Sequence, residues 1–151
     1  MAVAIDTANQ VQVQENRSAL GNKLIRFCGF FLVLSAAVKF VHPPGAVTYM
    51  GSMGFTGGTF YFIAVLELLS AVLFLVPSTR WLGLLFISSH LGGAIAAHLA
   101  AHRLTAGGPF LVFMATHPFM GALVPAAVLV TGWLGTWLSP PSFCGREIRA
   151  I

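Results

Sequence analysis

Two long apolar runs separated by four residues, between Thr59 and His102, limit the fold of this chain more than any other feature. Thr59 to Val76 is eighteen residues with one charge, Glu67, near the middle; Trp81 to Leu99 is nineteen with none, though His90 lies near its centre and His98 near its end. At about 1.5 Å of rise per residue, each run matches a bilayer core of roughly 30 Å. Pro77-Ser78-Thr79-Arg80 supplies the turn, so the pattern predicts two membrane-spanning helices in a hairpin. A carboxylate at a helix centre costs about 2.5 to 3.5 kcal/mol on insertion, and each Leu, Ile, Phe or Val returns about 0.3 to 0.6. Thr59 to Val76 holds twelve of these, so the helix inserts, but its carboxyl is expected to face a protein interior with a polar partner.

Composition agrees. With 57% hydrophobic and 8% charged residues, a chain of 151 has too little charged surface for a soluble domain, and it reads as an all-α integral membrane protein. The net charge of +4 reflects membrane topology rather than nucleic-acid binding, because no basic stripe with interleaved aromatics is present. Cys28 and Cys144 form neither a CxxC nor a zinc pattern and are read as structural or incidental residues on the cytoplasmic side, where thiols stay reduced. Were they to meet, a reversible disulfide would become available.

Residues 1–23 are polar with no sustained apolar face, which predicts a flexible cytoplasmic tail. Leu24 to Val41 is the first span, too long and too deep in the chain for a signal peptide, and Pro43 and Pro44 end it. Gly45 to Gly58 has no charge and five glycines, and is expected to be an apolar loop on the membrane surface rather than a gating lid. Arg103 to Gly108 is a short loop, and Pro109 to Ala115 is too short to cross. His117-Pro118 opens the last span, Phe119 to Leu138; Pro125 inside it removes a hydrogen bond to the carbonyl of Gly121 and predicts a kink. The expected architecture is a four-helix transmembrane domain over 24–138, with spans 24–41, 59–76, 81–99 and 119–138, and a second cytoplasmic tail over 139–151. Arg17, Lys23, Arg26, Arg80, Arg146 and Arg149 fall on the side shared by both termini and Arg103 on the other, which predicts cytoplasmic termini. Trp81 and Trp137 suit an interfacial belt on that side.

In this topology the polar groups collect at the outer face. Lys39 and His42 end the first span, His98 and His102 the third, and His117 precedes the fourth, while Glu67 lies about 12 Å below the outer end of its helix. The expectation is an outward-opening pocket lined by Lys39, His42, His98, His102 and His117, with Glu67 and His90 toward its floor. Simpler roles compete: Lys39 snorkelling to headgroups, Glu67 as protonated interhelical glue, and His42 and His117 as helix-end residues. His98 and His102 share a helical face, but imidazoles alone seldom complete a closed metal site, and no metal is expected. Gly93, Ala97 and Ala101, and likewise Gly92, Ala96 and Ala100, repeat at small-xxx-small spacing, which predicts close helix packing within the bundle or to another subunit, bringing His98 near the first or second span.

The stretch from Lys39 to Leu99 resembles the DoxX-like membrane proteins. The likeness is carried by Lys39 with His42-Pro43, by Gly51 to Gly54 with Met53, by Leu66-Glu67-Leu68-Leu69, by Pro77 to Arg80 before Leu82-Gly83, and by Leu91-Gly92-Gly93-Ala94-Ile95-Ala96-Ala97-His98-Leu99. The resemblance implies a four-helix membrane bundle in the inner or plasma membrane. The family is named for a subunit of a thiosulfate:quinone oxidoreductase, and relatives are associated with membrane redox and thiol-stress functions. Lys39, Glu67 and His98 carry over as pattern positions without an assigned role. With no paired cysteines and no cofactor motif, independent thiosulfate oxidation is not expected. Two functions follow: an accessory subunit of a redox system whose outward pocket holds a quinone head group, or a non-enzymatic component that conducts protons or small solutes or assembles with itself or a redox partner.

Overall fold

The computed structural model describes residues 2–100 and 118–139. Ala101, His102, Arg103, the 109–115 run, His117, Cys144, Arg146 and Arg149 lie outside them. Helices are the regular structure of the described residues, with no strand among them: α1 (Ala2–Val41), α2 (Pro44–Ser52), α3 (Gly58–Leu75), a 3-10 turn (Pro77–Thr79), α4 (Arg80–Ala100) and α5 (Pro118–Leu138). Four stretches are long and apolar enough to cross a membrane, Asn9–Val41, Gly58–Leu75, Pro77–Ala100 and Met120–Leu138, each built on one of the apolar runs read from the sequence.

Two segments differ from expectation. In place of an irregular tail over 1–23, helix starts at Ala2 and runs unbroken into the span. No proline interrupts residues 2–41, Gly21 is the first glycine, and Ala, Gln and Glu propagate a helix already nucleated in the span. Residues 9–20 are exposed except the half-buried Ser18, so propensity rather than packing accounts for this extension. The apolar segment after Val41 is likewise not simply a loop. Pro44 occupies the first turn of α2, where its fixed φ suits a helix and its missing N–H costs nothing, and Thr48 Oγ donates to the Pro44 carbonyl at 2.9 Å.

The spanning helices form an antiparallel ring. α1 packs against α3 and α5, and α4 packs against the same two, so α1 and α4 face each other across the diagonal. Ile25, Cys28 and Leu32 of α1 meet Phe74 of α3, Leu84 and Ile87 of α4 and Val128 of α5 in a closed core. Outward residues such as Phe30, Leu34 and Leu85 are about two-thirds exposed, as the lipid-facing side of a membrane bundle must be. Because lipid tails are as apolar as leucine, close packing rather than water exclusion drives such helices together.

Glycine sets the closest approaches, at the end of the bundle where α4 begins and α5 ends. A Cβ on Gly21 would lie 2.7 Å from Ser139 Cβ and 2.8 Å from the Gly135 carbonyl oxygen, and one on Gly83 would run into the backbone of Phe74. Of the two uses its spacing predicts, packing within the bundle or against another subunit, the repeat on α4 does not serve the first among the described residues. No described atom lies within 4 Å of a Cβ on Gly92 or Gly93, Ala96 and Ala100 are exposed, and Ala97 is half-buried. Spacing identifies a small-residue face but not its direction. The inward face of α4 is set by Gly83, Leu84, Ile87 and Leu91, which turns that face of small residues away from the other described helices.

At the same end, Arg80 is buried. Its guanidinium donates to the Ser139 carbonyl at 3.3 Å, Ser139 Oγ donates to Asn22 Oδ1 at 3.1 Å, and Arg80 Nε has no hydrogen-bond partner among the described residues. Arg17 lies over the Trp137 ring at 5.4 Å, a cation–π contact at the rim.

Candidate functional site

The candidate site occupies the other end, where α1 stops and α3 begins. Glu67 belongs to the inward stripe of α3, with Phe60, Ala64, Ser70, Ala71 and Phe74. Ala64 and Ala71, one turn to either side, are fully buried and small enough to let neighbouring backbones approach. Glu67 is 3% exposed, and its carboxylate is reached from both helices of the opposite diagonal. Lys39 of α1 donates to Glu67 Oε2 at 2.6 Å and to Ser35 Oγ, one turn back on its own helix, at 2.8 Å. His90 of α4 brings Nε2 to 3.7 Å from Oε1, within the range of charge interaction but beyond a hydrogen bond.

The carboxylate therefore has the polar partner that its place in a spanning helix demands, and Lys39 pairs with it rather than snorkelling to the headgroups. The ammonium has three protons, and Ser35 and Glu67 take two of them. Oε1, the remaining ammonium proton and the His90 ring are the groups left for further hydrogen bonding within the cluster.

A second polar contact stands nearer the end of the bundle. The Tyr49 hydroxyl of α2 lies 2.9 Å from His98 Nδ1, donating to it when the ring proton is on Nε2. Burial pushes the Tyr49 phenol above its ordinary range, so the hydroxyl keeps its proton at neutral pH. The ring of His98 also packs on α5: a Cβ on Gly121 would lie 2.7 Å from Nδ1. Pro125, buried inside α5, leaves the Gly121 carbonyl without its usual helical donor at the same level. His98 thus meets α2 and α5, and α1, the first span, stands on the diagonal from its helix.

The sequence-predicted pocket is divided. Lys39, Glu67 and His90 come together, and His98 joins Tyr49. His42 is turned away: its φ is +56°, its Nδ1 lies 3.0 Å from the Phe40 carbonyl, and its ring stacks on Phe60 and Tyr61 with centroids 4.7 and 4.4 Å away. That is a helix-end role, set by the left-handed turn that separates Val41 from the two prolines. His102 and His117 lie outside the described residues. Among the described residues no group of three or more His, Cys, Asp or Glu is placed to hold a metal ion.

Two polar partners escaped the sequence reading. Ser35 sits four residues before Lys39, a helical spacing that could have revealed it. Tyr49 is the one aromatic hydroxyl between Val41 and Gly58, but its partner becomes apparent only once α2 is seen to be a helix. No family model, curated protein or solved structure matches the chain.

Proposed function

We propose that this chain is a DoxX-like protein of the inner or plasma membrane that serves as an accessory subunit of a quinone-linked redox system and holds the quinone head group at the Lys39, Glu67 and His90 cluster. The observation that carries the reading is a carboxylate buried in a spanning helix with an ammonium and an imidazole on its two oxygens. A quinone supplies two carbonyl oxygens that accept hydrogen bonds and take up protons on reduction. The third ammonium proton of Lys39 and the His90 ring suit those oxygens as donors, and Glu67 is placed to hold or exchange a proton beside them. Cytoplasmic termini fit the same reading, since Arg17, Lys23, Arg26 and Arg80 gather at the end where α1 enters the bundle and α4 begins.

The test is equilibrium binding of a short-chain quinone to the purified protein in detergent, for wild type and Glu67→Gln. Binding by wild type, weakened tenfold or more in the variant, supports the reading. Equal affinities remove Glu67 from the site, and no binding by wild type removes the quinone.

One observation favours a non-enzymatic reading. Glu67 Oε2 is already taken by Lys39 at 2.6 Å, as an internal strut between α1 and α3 would require. The face of small residues with Ala96 and Ala100 then serves contact with a second copy or a redox partner. Proton or small-solute flux into proteoliposomes above that of empty vesicles supports a conducting role, and crosslinking from position 97 supports assembly.

A further inference from the structure

α2 lies across the end of the bundle, and the topology fixes which way it crosses. It leaves α1 at Val41, and its Tyr49 reaches His98 on α4. Those two helices stand on the diagonal of the ring, so the chain from Val41 to Tyr49 leads from one corner of the ring toward the opposite one before returning to start α3 at Gly58. Glu67 lies nine residues into α3 from Gly58, about 13 Å beneath that crossing, and His90 lies about 12 Å below His98 on α4.

The strap is weakly held. None of the residues of α2 is buried, and it packs closely against no described spanning helix. Both of its ends are bends in the left-handed region: His42 at φ +56° on one side, Gly54 at +87° and Gly57 at +53° on the other. Just before it, the His42 ring stacks on Phe60 and Tyr61 at the top of α3. Among the described residues, the side-chain hydrogen bond that ties the helix itself to a spanning helix is the one from Tyr49 to His98.

We propose that α2 is a lid over the Lys39, Glu67 and His90 cluster, hinged at His42 and at Gly54 to Gly57 and latched by the Tyr49 to His98 hydrogen bond. Opening swings Tyr49 off His98 and admits water and ligand to Glu67 from the end of the bundle, while the ring of four spanning helices stays closed. Tyr49 and His98 act as positioning residues and touch no ligand. The proposal takes the cluster as the site of the preceding reading but does not depend on a quinone.

A water-soluble carbodiimide, which modifies carboxyl groups, reports access to Glu67. The protein in nanodiscs is labelled, the adduct at position 67 is quantified by peptide mass spectrometry, and hydrogen exchange of residues 44–52 is followed in parallel. Tyr49→Phe and His98→Gln each are expected to raise Glu67 labelling and α2 exchange about fivefold, the increase in open population that one lost hydrogen bond produces. The double variant is expected to do no more than either single one, because both remove the same latch. Exchange in α3, α4 and α5 stays at the wild-type rate. Unchanged labelling and exchange in both single variants would overturn the proposal. So would additive effects in the double variant, or faster exchange throughout the bundle. Failure of quinone binding alone leaves these readouts intact and bears only on the ligand.

Discussion

The two ends of the bundle are built on opposite plans. Where α4 starts and α5 stops, glycines bring backbones to the limit of approach, Gly21 onto Ser139 and Gly135, Gly83 onto Phe74, with the closed apolar core directly beyond. Where α1 stops and α3 starts, the interior holds an ion pair and an imidazole, α2 has no buried residue, and Gly92 and Gly93 of α4 touch no described neighbour. One end fixes the relative position of the helices; the other has polar groups and loose cover. A bundle closed equally at both ends would leave Glu67 no path to solvent.

The contrast can be broken from either side. The largest effect is expected at the polar end. Lys39→Met leaves the Glu67 carboxylate buried without its closest cation, and the loss is expected to be about 3 kcal/mol, read as a lower denaturation midpoint in detergent. At the tight end, Gly83→Leu drives a side chain into the Phe74 backbone and is expected to cost about 2 to 3 kcal/mol by the same measurement. A neutral result at Gly83 would mean that the two ends are equally tolerant.

Smaller effects sharpen the comparison. Tyr49→Phe removes one hydrogen bond, worth about 1 kcal/mol, and its effect is expected to stay within α2. The sign of its pH dependence follows from burial. A phenol whose folded-state pKa is raised contributes stability fully present below its unfolded pKa of about 10 and lost as pH rises through the folded value. The difference in α2 exchange between wild type and Tyr49→Phe should therefore be level from pH 7 to 9 and shrink only above about 10. Smallest, Gly93→Ala meets no described neighbour and is expected to be neutral or to gain up to about 1 kcal/mol from helix propensity. A large loss there would show that the small face of α4 is occupied in the assembled protein.

The same contrast explains what the sequence made legible. Spans are written in apolar length, and each of the four apolar runs in the sequence falls on a helix long and apolar enough to cross a membrane. Glu67 advertised its own need for a partner, since a carboxylate amid twelve large apolar residues has few tolerable surroundings. Which partner it takes depends on ring order, and that order is a tertiary fact: α1 and α4 lie diagonal, so Lys39 and His90 meet on Glu67 while His98 is carried to α2 and α5. The α4 repeat marked a small face without giving its direction, and the packing glycines at Gly21 and Gly83 occur singly, with no repeat to reveal them. The helix over residues 2–20 has no apolar periodicity in its sequence to reveal it, and residues 9–20 are almost all exposed.

The claim on which the rest depends is that Lys39 and Glu67 interact inside the bundle, and a double-mutant cycle measures it directly. Denaturation midpoints of wild type, Lys39→Met, Glu67→Gln and the double variant, in one detergent at pH 7, give the coupling energy. A coupling of about 1 to 3 kcal/mol, with the double variant more stable than Lys39→Met alone, is the predicted result. Strict additivity, with each substitution acting as if the other residue were absent, would contradict it.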